Sequence, residues 1–384
     1  MPATLQATES FSVADALRQH GPAYLEKFGS RMPIRHRKVL SLIMRCGTGA
    51  LGDAFYRCRA CHKQHWIGRA CGDRHCPNCQ KQKTQLWLQK QTAKLLPVQH
   101  FVVTFTVPSE LRPMLRANQR KGYDAIFNAG QRVIKTLLSN DKNLGSDKVG
   151  FFGVLHTWGR DIKDFHPHVH FVLPGGGVSR DGSKWLQVKK DKPFHPEPAK
   201  SLYKKLFVKE MRKSGLYSQL PYGVLKMRWV VNIKPVSNGE AVLKYLAPYV
   251  YRVAISDSRI VSVNAHSVKY QVKPSGKRRY KTKEVAGQKF LQSFAQHILP
   301  ARFQKIRYYG FMSANNKIQL ENVRWLVWMY KGWTYWLGSA LFQPVIKKQI
   351  PTCSDCGGEL ELLRITNEQG RTIWAKQLPK RGPP

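Results

Sequence analysis

Acidic residues are scarce in this chain: its 384 residues include 23 Asp and Glu against 64 Lys and Arg. The formal net charge of +41 is too large for an incidental surface, because self-repulsion in a compact chain needs a polyanionic partner to offset it. Nucleic acid is the partner that this charge favours, and an anionic membrane surface is the alternative. No set of carboxylates stands out among so few acidic residues, which disfavours an active site built from three of them.

Long apolar runs are also missing. A membrane-spanning helix needs about 20 consecutive apolar residues, and the apolar-rich segment 323–346 is interrupted by Arg324 and Lys331. The first residues contain no basic stretch followed by an apolar core, so we expect no export signal. These observations predict a chain without membrane attachment that works in the cytoplasm, where thiols stay reduced.

Internal repeats and low-complexity tracts are absent as well. Hydrophobic residues make up 42% of the chain and aromatic residues 11%, which is enough for a packed core. At ~150 residues per domain, the length suggests two to three domains. The pattern changes along the chain predict a helical segment at 1–46, a cysteine-rich domain at 47–97, a mixed domain at 98–310 and a helical, Trp-rich region with a Cys-x-x-Cys tail at 311–384.

Strand-like and helix-like patterns are mixed in the centre of the chain. Runs of β-branched and aromatic residues predict strands at 99–107, 149–158, 168–173 and 224–236, and helical periodicity predicts helices at 119–139, 199–214 and 239–251. Residues 260–285 have the pattern of a hairpin with a basic tip. Because these elements lack regular β-α-β alternation, they predict an α+β fold with a mainly antiparallel sheet.

Five of the eight cysteines lie between positions 58 and 79. Two Cys-x-x-Cys pairs in this stretch are separated by 14 residues. Each pair places two thiolates on a tight turn, and two pairs can hold one tetrahedral Zn²⁺ at ~2.3 Å. The spacing therefore predicts one structural zinc, with the ligands Cys58, Cys61, Cys76 and Cys79. Other neighbours within reach of this site are Cys71, His62, His65 and His75.

A further pair, Cys353-x-x-Cys356, is followed by Gly357 and Gly358 and has the form of half a zinc site. No second pair follows it along the chain. A second zinc ion would need ligands from elsewhere in the sequence. The alternative is a reduced thiol pair on a turn.

Histidines cluster on one predicted strand. His168 and His170 alternate with Val169, so both imidazoles lie on one face of the strand, where they can hold a divalent metal. His156 lies near the end of the preceding predicted strand and could supply a third ligand if the two strands pair. Asp161 and Asp164 are alternatives for that third ligand, and a buried histidine with a satisfied hydrogen bond is the alternative for His156.

Three tyrosines lie within seven residues on the predicted helix 239–251. Tyr245 and Tyr249 are four residues apart and therefore share one helix face. A tyrosine near a divalent metal and a Lys or Arg can attack a phosphodiester, which gives a covalent phosphotyrosine. The alternative is that these tyrosines pack with their hydroxyls at the surface.

Several motifs, in this order, resemble those of the rolling-circle transposases of the insertion sequence ninety-one family, which belong to the HUH superfamily of single-strand nucleases. The resemblance covers nearly the whole chain. The motifs that carry it are Arg45-Cys46-Gly47-Thr48, Arg74-His75-Cys76-Pro77-Asn78-Cys79, Leu155-His156-Thr157-Trp158-Gly159, His166-Pro167-His168-Val169-His170, Tyr245-Leu246-Ala247-Pro248-Tyr249 and Ile306-Arg307-Tyr308-Tyr309-Gly310.

The resemblance implies an enzyme with an antiparallel-sheet HUH nuclease core at 98–310, preceded by the zinc-binding domain and the helical segment. His168 and His170 would bind Mg²⁺ or Mn²⁺ at the scissile phosphate. Tyr245 and Tyr249 would be the nucleophiles that nick and rejoin single-stranded DNA at the ends of a mobile element. One tyrosine would hold a 5′-phosphotyrosine while a 3′-OH is released, and the second would allow strand transfer.

One residue departs from the family pattern. Position 248 is proline, where the family commonly has arginine, and a proline inside a helix costs ~3 kcal/mol and kinks or ends it. Tyr245 is therefore the better candidate nucleophile, and a single-tyrosine mechanism is the alternative. Two other functions stay open: a non-enzymatic zinc-dependent DNA-binding protein, and a replication initiator or relaxase of the same superfamily.

The chain contains no G-x-x-x-x-G-K-[ST] motif, so we expect host helicase and replication proteins to unwind the DNA. The resemblance implies a bacterial protein that associates with the nucleoid. A basic segment that contains Tyr270 and Tyr280 suits single-stranded DNA, because bases stack on aromatic rings while cations contact phosphates. The predicted DNA-binding residues are Lys273, Lys277, Arg278, Arg279 and Lys281. The alternative is a solvated basic loop.

Overall fold

The computed structural model describes residues 11–189, 191–236, 243, 250, 254–274, 277, 279–332 and 351–377. The helices in these ranges are α1 (Val13–Phe28), α2 (Ile34–Arg45), α3 (Pro77–Thr92), α4 (Arg112–Ala117), α5 (Gln119–Leu138), α6 (Pro196–Lys213), α7 (Gly287–Ala295) and α8 (Leu320–Lys331). The strands are β1 (Asp53–Cys58), β2 (Gln64–Gly68), β3 (His100–Thr106), β4 (Phe151–Trp158), β5 (Phe165–Pro174), β6 (Gly176–Val178), β7 (Trp185–Gln187), β8 (Val230–Val236), β9 (Ile260–Val263), β10 (Ser267–Val272), β11 (Lys281–Ala286), β12 (Ile306–Tyr309), β13 (Leu360–Thr366) and β14 (Thr372–Ala375).

The chain divides into two compact units. The first comprises Met1–Lys83, Ile255–Ile298 and Ile346–Pro384, and the second comprises Thr84–Ala254 and Leu299–Val345. Each unit combines segments that are far apart in sequence. The linear domain boundaries after residues 46, 97 and 310 stay a prediction, because grouping by contacts does not test them.

The first unit contains helices and two small antiparallel sheets. A capping box fixes the start of α1: Ser12 Oγ accepts the Asp15 N–H at 3.2 Å, and the Asp15 carboxylate accepts the Ser12 N–H at 2.9 Å. Helix α1 packs against α2 and α7. One sheet has the strand order β14-β13-β1-β2, and the other has the order β11-β10-β9. The second sheet contains the predicted hairpin, β10–β11, and adds β9 to it.

The second unit is built on a five-stranded sheet with the order β12-β4-β5-β3-β8, in which neighbouring strands are antiparallel. One face of this sheet packs Phe105, Val169 and Phe171 into a large apolar core with residues of α5 and α6. Gly130 of α5 lets the helix come close to the sheet, because a Cβ there would lie 2.6 Å from the Phe171 ring. The opposite face carries the histidines of β5.

The α+β fold class is confirmed, and the predicted strands 99–107, 149–158 and 168–173 correspond to β3, β4 and β5. The predicted strand 224–236 begins only at Val230, because residues 224–226 form a turn of 3-10 helix. Of the predicted helix 239–251, Leu243 and Val250 belong to the described residues, and both are helical. No helix in the described ranges is long and apolar enough to cross a membrane.

The C-terminal region contains more strand than its sequence suggested. Helix α8 agrees with the predicted helical character, and residues 333–350 lie outside the described ranges. After the Cys353-x-x-Cys356 tail the chain forms β13 and β14, which were not predicted. Strand β13 pairs with β1, at the other end of the sequence.

Candidate metal centres

The histidine cluster lies on the central strands of the five-stranded sheet. His168 and His170 point to one face of β5 because they alternate with the fully buried Val169. The register of β4 against β5 places His156 directly opposite His168. The ligand atoms of His156, His168 and His170 lie within 4.8 Å of one another, and this group contains no carboxylate. His156 stays a predicted third ligand, and Asp161 and Asp164 are not part of this group of neighbouring ligand atoms.

Hydrogen bonds fix the orientation of two of these rings. His168 Nδ1 lies 2.7 Å from the His166 carbonyl oxygen, so Nδ1 carries the proton and Nε2 keeps its lone pair. His170 Nδ1 lies 2.8 Å from Thr104 Oγ1, and this hydroxyl oxygen can accept the Nδ1 proton of His170. In both cases Nε2 is the nitrogen left to face a metal, which is the usual arrangement at histidine metal sites.

The electrostatic surroundings keep these imidazoles neutral. Removal from water lowers the pKa of His170 to about 4, and the positive charge of Lys234 acts in the same direction. Removal from water, together with neighbouring His170, lowers the pKa of His168 well below its ordinary value. Neutral imidazole is the form that binds metals, so both side chains are ready to coordinate near neutral pH.

Two cations border the cluster. The guanidinium of Arg112 donates to His166 Nδ1 at 2.7 Å, and burial followed by this charge lowers the pKa of His166. Lys234 is exposed on β8, in register with Val102 of β3. Sequence reasoning missed Thr104, Arg112 and Lys234. Alternation along β3 shows which side Thr104 faces, but only the pairing of β3 with β5 shows that it meets His170.

The candidate nucleophiles Tyr245 and Tyr249 lie outside the described residues, as does Pro248. Their immediate neighbours in sequence provide a reference. Leu243 and Val250 are fully buried in one apolar cluster on the sheet, together with Trp87, Val102, Phe152, Val154 and Val172. Val172 follows His170 by two residues on β5, so this cluster lies on the histidine-bearing face of the sheet.

The predicted single zinc set is wrong in its grouping, because the two Cys-x-x-Cys pairs lie in different clusters. One cluster consists of Cys46, Cys71, Cys76 and Cys79; the other consists of Cys58, Cys61, Cys353 and Cys356. All eight cysteines are free thiols. The separation has a physical cause: Cys58 ends β1, which pairs with β13, whereas Cys76 and Cys79 lie at the start of α3.

The first cluster has the spacing of a tetrahedral thiolate site. The Sγ atoms of Cys46 and Cys79, of Cys71 and Cys79, and of Cys46 and Cys76 are each 3.6 Å apart. Four sulfurs at ~2.3 Å from a central zinc would be ~3.8 Å from one another. Backbone N–H groups support the charge of the thiolates: Cys71 N–H points to Cys46 Sγ and Gly72 N–H to Cys79 Sγ, both at 3.3 Å.

The histidines near the cysteines in sequence lie outside both four-cysteine groups. His75 is buried, and its Nδ1 lies 2.8 Å from the Asp73 carboxylate, which also pairs with Arg35 at 2.8 Å. His65 Nε2 lies 3.2 Å from Cys353 Sγ. His62 occupies a turn with φ of 58°. These histidines therefore surround the cysteine clusters and do not belong to them.

The predicted DNA-binding residues lie on and beside the β10–β11 hairpin, apart from Arg278, which lies outside the described residues. Tyr280 is 54% exposed, and the charged ends of Lys273 and Arg259 each lie 5.9 Å from its ring centre. Tyr270 is buried against Phe290, with ring centres 5.7 Å apart. Tyr280 therefore presents an exposed ring beside two cations, whereas Tyr270 belongs to the core.

Two protein families match separate parts of the chain. Residues 16–107 match a family described as "Transposase zinc-binding domain", and residues 150–319 match a family described as "Putative transposase". No solved structure matches the chain significantly.

Two curated relatives extend the similarity over most of the chain. The first, "Putative transposase y4qJ" of Sinorhizobium fredii, is 34% identical over 321 residues, which cover 78% of this chain and 80% of the relative. The second, "Transposase for insertion sequence element IS801" of Pseudomonas savastanoi pv. phaseolicola, is 29% identical over 300 residues, 72% of this chain and 70% of the relative. The chain therefore belongs to the IS91 (insertion sequence ninety-one) family of transposases.

Proposed function

We propose that this transposase nicks and rejoins single-stranded DNA at the ends of its element through a 5′-phosphotyrosine intermediate, with a divalent ion held by His156, His168 and His170. The convergence of three imidazoles on one face of an antiparallel sheet carries the proposal. Because the chain belongs to the IS91 family of transposases, the mobile element is an insertion sequence and the partner is DNA. Rolling-circle transposition is the corresponding overall process.

The donor set fits a divalent transition metal. Three neutral nitrogen ligands leave coordination positions for phosphate oxygens and water. Imidazole suits Mn²⁺ better than Mg²⁺, which prefers oxygen ligands, so we assign Mn²⁺ as the better cofactor and Mg²⁺ as the weaker one. The ion would polarise the phosphoryl oxygen and offset charge that develops on it.

The residues of the chain have separate tasks in this reaction. His166 through its carbonyl and Thr104 through its hydroxyl hold the ring orientation of His168 and His170. Lys234, exposed beside His170, provides a cation for a DNA phosphate. Arg112 is held against His166 and adds a second positive charge at the edge of the cluster.

We assign Tyr245 as the first nucleophile and Tyr249 as the second. The phenolic oxygen forms a bond to phosphorus, the bond from phosphorus to the 3′ oxygen breaks, the phenol loses its proton and the departing oxygen gains one. The products are a 5′-phosphotyrosine and a 3′-OH, and the reverse attack by a 3′-OH rejoins the strand. This assignment rests on the resemblance to the family, on the four-residue spacing of the two tyrosines and on Pro248 between them.

Covalent capture tests the tyrosines. A single-stranded oligonucleotide of a verified element end, labelled at its 3′ end, is incubated with the full chain and Mn²⁺ and resolved on a denaturing gel. We expect a labelled protein adduct that is lost in the double variant Tyr245→Phe, Tyr249→Phe and kept in Tyr222→Phe, a matched control at a fully exposed tyrosine.

Two outcomes contradict the proposal. One is an adduct of unchanged yield in the double variant, and the other is tight binding of the verified end with neither an adduct nor a nick. The second outcome would favour a DNA-binding protein without nuclease activity. Comparison of the two single variants shows whether one or both tyrosines react.

Removal of the Thr104 hydroxyl should weaken metal binding. Thr104→Val keeps the β-branched shape but removes the partner of His170 Nδ1, and loss of such an outer hydrogen bond typically lowers metal affinity ~10–100-fold. Titration of the protein with Mn²⁺ in the absence of DNA measures this change. Thr104→Ser should restore affinity, and Thr136→Val, at an exposed threonine of α5, is the matched control. Equal affinity of Thr104→Val and wild type would contradict the role.

Structural zinc supports the first unit. We propose that Cys46, Cys71, Cys76 and Cys79 bind one Zn²⁺, and that it has a structural role, since four thiolates leave no open position for substrate.

Help from host helicase and replication proteins, and a location at the bacterial nucleoid, are further parts of the proposal. They rest on the chemistry of DNA transposition and on the charge of +41.

A further inference from the structure

We propose that Cys58, Cys61, Cys353 and Cys356 form a second structural zinc site, which ties the C-terminal strands to the N-terminal module. The zinc-binding family match ends at residue 107 and so does not contain Cys353 or Cys356. The inference does not depend on the cleavage chemistry proposed above, because it concerns a metal outside the histidine cluster.

The four sulfurs have the geometry of a tetrahedral thiolate site. Cys58 Sγ lies 3.5 Å from Cys356 Sγ, and Cys61 Sγ lies 3.7 Å from Cys353 Sγ. All four sulfurs lie within 4.8 Å of one another. These separations are close to the ~3.8 Å that zinc–sulfur bonds of ~2.3 Å produce in a tetrahedron. Each Cys-x-x-Cys pair supplies two of the four ligands.

The two halves of the site have the same backbone design. In one half, Cys58 N–H donates to the Lys63 carbonyl at 2.9 Å, and His62 N–H donates to the Cys58 carbonyl at 3.1 Å. In the other half the corresponding bonds join Cys353 to Gly358 at 2.7 Å and Gly357 to Cys353 at 2.9 Å.

The turn residue after each pair is also equivalent. His62 and Gly357 both have positive φ, 58° and 74° respectively. A positive φ is costly for a residue with a side chain, so the turn at His62 needs a compensating interaction. Two unrelated thiol turns have no physical reason to share this backbone geometry and to face each other. Two halves of one metal site are expected to do both.

The surroundings fit a site with excess negative charge. Four thiolates and one Zn²⁺ carry a net charge of −2, which nearby donors and cations must offset. His65 Nε2 lies 3.2 Å from Cys353 Sγ, and Cys61 N–H points to Cys58 Sγ at 3.5 Å. Lys63 pairs with Asp355 at 2.8 Å and so joins the two turns.

Gly358 and the pairing of β1 with β13 fix how closely the two cysteine turns approach each other. A Cβ at Gly358 would lie 3.0 Å from Cys58 Sγ and 3.3 Å from Cys356 Sγ, so glycine allows the second turn to approach the sulfurs. Pairing of β1 with β13 places Cys58 opposite Leu360 and holds the turns in register. The ligand chemistry, four soft thiolates in a tetrahedron, selects Zn²⁺ among common cellular metals.

The proposed site closes a very long loop. Cys61 and Cys353 are 292 positions apart, so the ion would hold β13 and β14 to β1 against the entropy of the intervening chain. Strand β13 also carries Arg364, which lies over the rings of Phe55 and Trp66 at 5.8 and 5.3 Å. These contacts and the strand pairing would remain without the metal, but the link that the metal makes between the two turns would be lost. We therefore expect both C-terminal strands to separate more often from the sheet of the first unit when the metal is removed.

Zinc content of the intact chain tests the proposal. All samples carry His168→Ala with His170→Ala, so that the histidine cluster holds no zinc. This parent protein, freed of loosely bound metal, should contain two Zn²⁺ per chain by inductively coupled plasma mass spectrometry. Cys353→Ser with Cys356→Ser should contain one. Ser354→Ala, between the two cysteines, is the matched control and should contain two. Cys71→Ser with Cys79→Ser should also contain one, from the other cluster.

A second measurement covers the possibility that a variant misfolds. The wild-type chain is loaded with Co²⁺, and the intense visible absorption of tetrathiolate cobalt should correspond to two sites, halved in either double variant. Limited proteolysis should cut residues 351–377 faster in the Cys353→Ser, Cys356→Ser variant. One zinc in the parent protein, or two in its Cys353→Ser, Cys356→Ser variant, would overturn the proposal. Neither result would bear on DNA cleavage.

Discussion

Replacement of His170 by alanine should reduce strand cleavage about 1,000-fold or more while single-stranded DNA binding changes little. A metal at a scissile phosphate contributes several kcal/mol to the transition state, and each ~1.4 kcal/mol corresponds to tenfold in rate. His170 is central to the imidazole group, and burial with the charge of Lys234 keeps its pKa at about 4. The side chain therefore acts as a neutral ligand at pH 7, not as a cation that contacts phosphate.

The measurement compares single-turnover cleavage of a labelled element end with its equilibrium binding, at several Mn²⁺ concentrations. His195→Ala is the matched control, because His195 is an exposed histidine of the same unit at the N-terminus of α6. Partial rescue of His170→Ala by high Mn²⁺ would support the ligand role. Cleavage by His170→Ala at the wild-type rate would contradict it, and a parallel loss of DNA binding would indicate a structural role instead.

The placement of His168 and His170 on one face of β5 could be predicted because its cause is local. Side chains two residues apart on a strand point to the same face, whatever the rest of the fold is. The position of His156 required one further step, the pairing of β4 with β5, which adjacent strands in sequence commonly make. Thr104 could not be predicted, because its contact with His170 depends on the register of β3, a strand separated from β5 by α4, α5 and β4.

The cysteines show the limit of spacing as a signal. Cys-x-x-Cys predicts a turn with two inward sulfurs, and the structure has such a turn at Cys58–Cys61 and at Cys353–Cys356. Which two turns meet is decided by the pairing of β1 with β13, whose paired residues, such as Cys58 and Leu360, are 302 or more positions apart, and no local pattern contains that information. Cys46, a single cysteine after α2, has no spacing signal at all.

The fold class was predictable for the same local reasons. Two strands were predicted incorrectly: β13 was not predicted at all, and β8 was predicted to start too early. Residues 360–366 (LELLRIT) have partial alternation, a strand signal that could have been used for β13. The segment before Val230 has strand-forming residues, but Trp229 donates its indole N–H to the Val224 carbonyl at 2.9 Å. That hydrogen bond closes a compact turn, so the strand β8 starts later than its composition suggests.

Replacement of Cys76 by serine should remove zinc from the first cluster and destabilise the first unit by several kcal/mol. Cys76 is fully buried, and its Sγ lies 3.6 Å from Cys46 Sγ. Structural zinc contributes on the order of 10 kcal/mol in small domains, because the site does not exist in the unfolded chain. Serine cannot replace a thiolate ligand, and the three remaining sulfurs would be left close together without a cation to offset their charge.

Zinc content and thermal unfolding of the full chain measure this effect. We expect the Cys76→Ser chain to lose one Zn²⁺ and to show an early unfolding transition, which a strong chelator should reproduce in the wild type. Asn78→Ala, between Cys76 and Cys79, is the matched control and should keep its zinc and its transition. The large apolar core of the second unit contains none of these cysteines, so its own transition should persist. An unchanged zinc content and melting curve in Cys76→Ser would exclude this cluster as a structural metal site.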